Sequence, residues 1–143
     1  MPVLDSLLLL DNNAALTTTR SSTDWFDTGI VNLDSGAEEN PLFLFFQFNT
    51  LPLPGTATVT VQIQTSPDQV TWTTQVQSDA VLASQFTAAN PSGRIRLRMP
   101  SPGDRFIRAN YVVASGPLTA GTITCGFTLE RDSVQNYPRN FAV

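Results

Sequence analysis

The stretch from Thr56 to Gln77, T-A-T-V-T-V-Q-I-Q-T-S-P-D-Q-V-T-W-T-T-Q-V-Q, constrains the fold more than any other part of the chain. In its first half Val59, Val61 and Ile63 alternate with Thr58, Thr60, Gln62 and Gln64. A strict two-residue period of β-branched side chains marks a strand with one buried and one open face, because a pleated backbone sends successive side chains to opposite sides. Ser66-Pro67-Asp68 interrupts the period. Proline has no N–H to give to a ladder, and Ser and Asp side chains hydrogen-bond nearby turn amides. Alternation resumes with Val70, Trp72 and Val76 against Thr71, Thr73, Gln75 and Gln77. This predicts a β-hairpin with Trp72 buried beneath it as its largest apolar anchor.

The other segments read as strands around that hairpin. Leu7 to Leu10 is a first strand or a docked segment, turned by Asp11-Asn12-Asn13, and Ala14 to Ser22 is a surface loop. Trp25, Phe26 and Ile30 to Leu33 supply short strands around Gly29, with a loop from Asp34 to Pro41. Leu42 to Phe48 is apolar on both faces for five residues, which predicts a central strand sandwiched between layers. Ala80 to Ala83 is a short strand or turn, and Gln85 to Ser92 a loop. Gly93 to Met99 sends Ile95, Leu97 and Met99 inward and Arg94, Arg96 and Arg98 outward. Phe106 to Ala114 gathers Ile107, Ala109, Tyr111 and Val113 on one face, and Thr122 to Glu130 turns Ile123, Cys125, Phe127 and Leu129 inward. No segment holds a helical period over three turns. Eight or so short strands between Pro/Gly turns predict an all-β fold, a two-sheet antiparallel sandwich of jelly-roll or immunoglobulin type, over residues 1–130.

Beyond Glu130 the alternation stops, and residues 131–143 form an expected C-terminal arm. Val134, Tyr137, Phe141 and Val143 give it apolar anchors, while Pro138 argues against a helix. An extended arm could lay Tyr137 and Phe141 into a neighbouring subunit or fold back on its own sandwich.

Composition narrows the chemistry. The chain has no histidine and no lysine, which removes the commonest general base, a common metal ligand and the lysine nucleophile. Glu38 and Glu39 are neighbours in a loop, Asp24 and Asp27 suit turn capping better than calcium, and Cys125 alternates with apolar residues as a packing position. Neither a glycine-rich phosphate loop nor a serine nucleophile elbow is present. The expectation is a protein with no catalytic residues, no metal and no cofactor. The single Cys125 excludes an intramolecular disulfide, the start lacks a basic leader, and Leu7 to Leu10 is too short to span a bilayer. These features predict a soluble, cytoplasmically assembled chain with no membrane role.

Charged residues make up only 14% of the chain, so its strands present uncharged Thr and Gln where lysine commonly guards exposed strand edges. Coverage by neighbouring copies or another protein follows. The ladder of Arg94, Arg96 and Arg98 would repel itself unless acids or phosphates sat among it. A net charge of −4 disfavours nucleic acid. Pairing with acids within the fold (Glu38, Glu39, Asp104) or across an interface is the stronger reading, and arginine's bidentate fork favours an interface.

Two resemblances add to this. Ser66, Asp68 and Trp72 resemble the S-x-D-G-x-x-W hairpin of discoidin-type domains, with Gln69 in place of the glycine, and the sialidase Asp-box, one residue short. In both patterns these residues build the turn. Read as a whole, P-L-F-L-F-F-Q-F at 41–48, T-V-T-V-Q-I-Q-T-S-P-D-Q-V-T-W-T-T at 58–74, R-F-I-R-A-N-Y-V-V at 105–113 and T-A-G-T-I-T-C-G-F-T-L at 119–129 resemble the cement (decoration) proteins of tailed bacteriophage capsids. That resemblance implies a jelly roll that forms a homotrimer on the outer capsid surface of the virion and clamps the major capsid protein, with no enzymatic residues. The alternative is a carbohydrate-binding jelly roll with Trp25 or Tyr111 as an exposed stacking platform. A small hydrolase would require carboxylates converging in a pocket, which the spacing does not suggest.

Overall fold

In the computed structural model of the chain, strands form where the two-residue periods run. The described residues are 9–27, 29, 42–50, 52–86, 95–99 and 104–129. Ten strands occur among them: β1 (Leu9–Ala15), β2 (Arg20–Ser21), β3 (Phe26–Asp27), β4 (Leu42–Phe48), β5 (Thr58–Ser66), β6 (Thr73–Gln77), β7 (Val81–Leu82), β8 (Ile95–Arg98), β9 (Phe106–Ala114) and β10 (Thr122–Leu129). A 3-10 turn, Ala83–Gln85, follows β7.

Two antiparallel sheets pack face to face. One runs β1-β10-β4-β8; the other runs β2-β9-β5-β6, with β3 also pairing β9 and β7 pairing β5. The pairs nest: β1 with β10, β2 and β3 with β9, β4 with β8, β5 with β6 and β7. One long hairpin rolled across two sheets is the jelly roll. The immunoglobulin-type alternative is thereby excluded.

The core is what the alternation predicts. Val59, Val61 and Ile63 of β5 face Leu44 and Phe46 of β4 and Ile123, Cys125 and Phe127 of β10, with Ala109 and Tyr111 of β9, all buried. Phe46, Phe48, Phe86 and Tyr111 form an aromatic cluster with ring centroids 4.8–5.9 Å apart, the spacing at which tilted and edge-on rings attract. The central position of β4, between β10 and β8, accounts for its two apolar faces. Leu44 and Phe46 enter the core, whereas Phe43 and Phe45 stand half-buried on the outer side, in register with Arg98 and Arg96.

Two local expectations fail through an extra residue in a strand. A third, the surface loop from Ala14 to Ser22, fails because Ala14 and Ala15 continue β1, Leu16 is fully buried and Arg20–Ser21 form β2. Asp11-Asn12-Asn13 does not turn the chain. β1 continues through it, with register breaks against β10 between Leu9 and Asp11 and between Asp11 and Ala14. Asn13 takes the left-handed backbone (φ 52°) that asparagine tolerates better than most residues. The second failure is Trp72. Ile63 pairs with Val76 but Gln64 pairs with Thr74, so Gln75 is inserted into β6. One inserted residue moves everything beyond it to the other face. Val76 therefore faces the core, while Trp72 is half-buried on the outside and Val70 is 81% exposed. Trp72 is not the buried anchor; Tyr111 and Phe46 are the largest fully buried side chains among the described residues.

At one end of the sandwich three connections are fastened together. Leu118 donates its N–H to the Thr17 carbonyl at 2.8 Å, Thr119 to Leu53 at 2.8 Å, and Leu53 to Ala120 at 3.2 Å. Leu7 and Leu8, Ile30 to Leu33, the Asp34–Pro41 loop with Glu38 and Glu39, Arg94, Glu130, and the arm with Tyr137 and Phe141 lie outside the described residues.

Candidate interaction surfaces

The outer face of the six-stranded sheet is a field of amides and hydroxyls. β5 contributes Thr58, Thr60, Gln62 and Gln64, β6 contributes Thr74 and Gln77, and β9 contributes Asn110 and Arg108. These groups bond laterally in rows. Asn110 Nδ2 donates to Gln62 Oε1 (2.8 Å), whose Nε2 donates to Gln77 Oε1 (3.1 Å). Next along, Arg108 Nε donates to Gln64 Oε1 (2.9 Å), whose Nε2 donates to Thr74 Oγ1 (3.2 Å). Gln62 and Gln64 each donate and accept, which fixes the rows, and Arg108 is the one charged member. The field ends at the hairpin tip, where the Arg108 guanidinium lies 4.2 Å from the centre of the Trp72 ring. Arginine against a tryptophan face is the strongest common cation–π arrangement, and it holds both side chains on the surface.

The tip itself is built by Ser66 and Asp68, as their spacing predicts. Asp68 Oδ1 accepts the backbone N–H groups of Val70 and Thr71, both at 2.9 Å, and the Ser66 hydroxyl at 3.0 Å. These donors, led by Thr71 and then Val70, favour the ionised carboxyl and hold its pKa below the ordinary value. Gln69, which stands where the related pattern has glycine, takes the left-handed backbone at φ 64°. Its carbonyl accepts the Trp72 indole N–H at 3.2 Å. The Ser66–Asp68–Trp72 set thus closes the turn.

Close by, Asp27 and Arg105 form a two-pronged surface pair, Nε to Oδ1 at 2.7 Å and the second guanidinium nitrogen to Oδ2 at 2.9 Å. The Arg105 hydrogen bond, helped by the Gly29 N–H, lowers the Asp27 carboxyl to about 2. Asp27 therefore caps and pairs, as a turn residue does.

A buried polar hub ties the two sheets. Asp11, 2% exposed, accepts the Tyr111 hydroxyl at 2.6 Å, the Thr23 hydroxyl at 2.6 Å and the Arg20 guanidinium at 3.4 Å. Arg20 also lies over the Tyr111 ring. Burial keeps the Tyr111 phenol protonated far above its ordinary range and pushes the neighbouring Cys125 thiol up to about 12. A thiol held in that form is not a nucleophile at neutral pH. Tyr111 is fully buried and cannot serve as a stacking platform. Trp25 is half exposed.

Arg96 and Arg98 project from β8, the edge strand of the four-stranded sheet, and both are exposed on one face, as their alternation predicts. Asp104, named from the sequence as a possible partner, accepts from Thr65 Oγ1 at 2.9 Å. Sequence reasoning missed Asp11 and Arg108. The signal for Arg108 was available in the alternation of β9, which sets it opposite Ile107 and Ala109. Asp11 carried no signal, because its partner Tyr111 stands 100 residues away.

The family model named Bbp16 matches residues 10–127, which takes in β2 to β9 whole and most of β1 and β10. No curated protein matches the chain.

Proposed function

The chain belongs to the phage-associated Bbp16 family, and from that premise we propose that it is a structural protein of the virion, a capsid cement protein. In this reading it forms a homotrimer on the outer capsid surface and clamps neighbouring major capsid proteins, without catalytic residues, metal or cofactor. The observation that carries the reading is the outer face of the six-stranded sheet and its edge. β6, T-T-Q-V-Q, is an edge strand with no lysine, proline or other charge to guard it. Edges of that kind attract other chains unless they are covered. The amide rows beside it are ordered by their own hydrogen bonds, so covering them costs little side-chain entropy. Subunits packed side by side through this region, supported by Arg96 and Arg98 and by the arm residues Tyr137 and Phe141, would bury what a monomer leaves open.

The test uses capsids assembled without this protein. Added protein should bind them stoichiometrically, raise the temperature at which they burst, and show three times the chain mass by light scattering when free. Capsids that neither bind it nor gain stability would refute the proposal. The half-exposed Trp25 keeps a carbohydrate-binding reading open. Tyr111 gives that reading no support, and saturable glycan binding abolished by Trp25→Ala would favour it.

A further inference from the structure

The two ends of the sandwich differ in charge. One end carries the described residues 16–19 between β1 and β2, 49–50 and 52–57 between β4 and β5, 83–86 after β7, and 115–121 between β9 and β10. None of these residues is charged. Two charged side chains flank these loops among the described residues: Arg20, which turns inward onto Asp11 and the carbonyls of Ala15 and Ser21, and Asp79, exposed on the sheet edge three residues before Leu82. The opposite end carries Asp24, Asp27, Asp68, Asp104 and Arg105, with Arg98 at the end of β8. Loop tips are where a soluble protein usually concentrates its charge, so a set of adjoining uncharged tips is the informative feature.

The uncharged end also exposes apolar surface and is already rigid. Leu53 is 47% exposed and Leu82, the last residue of β7, 43% exposed. Beyond the bonds that join Thr17, Leu53 and Thr119, Ala83 donates to Ala57 at 2.7 Å, Ser84 to Gly55 at 3.2 Å and Thr122 to Thr50 Oγ1 at 2.8 Å. Loops fixed in this way lose little freedom on binding, and a surface without charge has none to strip of water. For the same reason its partner must present little charge of its own, since a charge buried against these loops would find no counter-charge.

We propose that this end is set down on a low-charge, apolar and hydroxyl-bearing patch of the major capsid protein, with the acidic end facing solvent. The inference rests on the cement reading above. Side-by-side contacts through the six-stranded sheet would point every uncharged end the same way, which makes a continuous underside for a capsid and leaves no reason for a second copy there.

Capsids assembled without the protein provide the test, with affinity measured by co-sedimentation for wild type, Leu82→Arg, Thr18→Arg and, at the acidic end, Asp24→Arg. Thr18 is exposed and lies outside the strands, so it serves if Leu82→Arg fails to fold. Expected are roughly tenfold or greater losses for Leu82→Arg and Thr18→Arg, a change under about twofold for Asp24→Arg, and an unaltered mass of the free protein. Wild-type affinity should change little at high salt. The inference is overturned if both variants at the uncharged end bind like wild type, whatever Asp24→Arg does. It is equally overturned if those variants alter the mass of the free protein and leave capsid affinity intact. Failure of wild type itself to bind would instead refute the cement reading, and this inference with it.

Discussion

Tyr111→Phe removes a single buried hydroxyl and measures what the Asp11 hub contributes. The ring stays, and with it the contact to Phe46 at 5.4 Å between centroids. What is lost is one 2.6 Å hydrogen bond to a carboxylate that is 2% exposed. A hydrogen bond to a charged group contributes about 1.5–3 kcal/mol. Asp11 keeps the Thr23 hydroxyl at 2.6 Å, the Thr23 N–H at 3.3 Å and Arg20 at 3.4 Å, so the loss should fall in the lower half of that range. Asp11→Ala strips the acceptor from Tyr111, Thr23 and Arg20 together and should cost about 3–5 kcal/mol, as breaking a buried ion pair does. The two losses should not add, because the hydroxyl has no carboxylate to serve once Asp11 is gone; a coupling of about 1–2 kcal/mol is expected. Urea unfolding followed by tryptophan fluorescence gives these values, with an unchanged denaturant slope as the check on two-state behaviour. A Tyr111→Phe protein within about 0.5 kcal/mol of wild type, or strict additivity in the double variant, would refute the hub's role.

Other positions test the hairpin and the surface. Trp72→Ala should cost only about 1–2 kcal/mol, from a cation–π contact of about 0.5–1 kcal/mol and partial burial, and a loss of about 3–5 kcal/mol in thermal or urea melts would return Trp72 to the core. Gln69→Gly should raise stability by about 0.5–1 kcal/mol, since a left-handed backbone costs an ordinary residue roughly 1–2 kcal/mol and glycine's freer unfolded chain returns part of that; a destabilised Gln69→Gly would contradict the turn geometry. The Asp27 carboxyl should titrate near 2 by carbon NMR, and Arg105→Ala should move it up towards ordinary aspartate. Because the folded value is depressed, the stabilisation by this pair is present above the unfolded pKa and disappears as pH falls through about 2. A wild-type midpoint in the ordinary aspartate range would exclude the pair in solution.

The strands of this protein are legible because their signal is local. Val59, Val61 and Ile63, or Ile95, Leu97 and Met99, announce a buried face within a few residues, and the structure buries each of them. The reading fails at Trp72, where one additional residue reverses the phase, and at Asp11 to Asn13, where two register breaks carry the strand through residues typical of a turn, since local sequence carries no mark of an insertion. The candidate surfaces were partly visible. Ser66 and Asp68 show themselves through turn chemistry, and the Thr/Gln rows through an absence of charge. Which residues of distant strands become neighbours is set by the sheet order, so Arg108 against Trp72, Tyr111 against Asp11 and the gathering of uncharged loops at one end emerge only from the fold.

The most direct test of the account is an electron cryo-microscopy comparison of virions with capsids assembled without this chain. The account predicts difference density on the outer surface only, resolved as jelly rolls grouped in threes, with residues 16–19, 52–57 and 115–121 against the major capsid protein and Asp27 and Asp68 outward. Difference density inside the shell, confined to the tail, or missing altogether would contradict it.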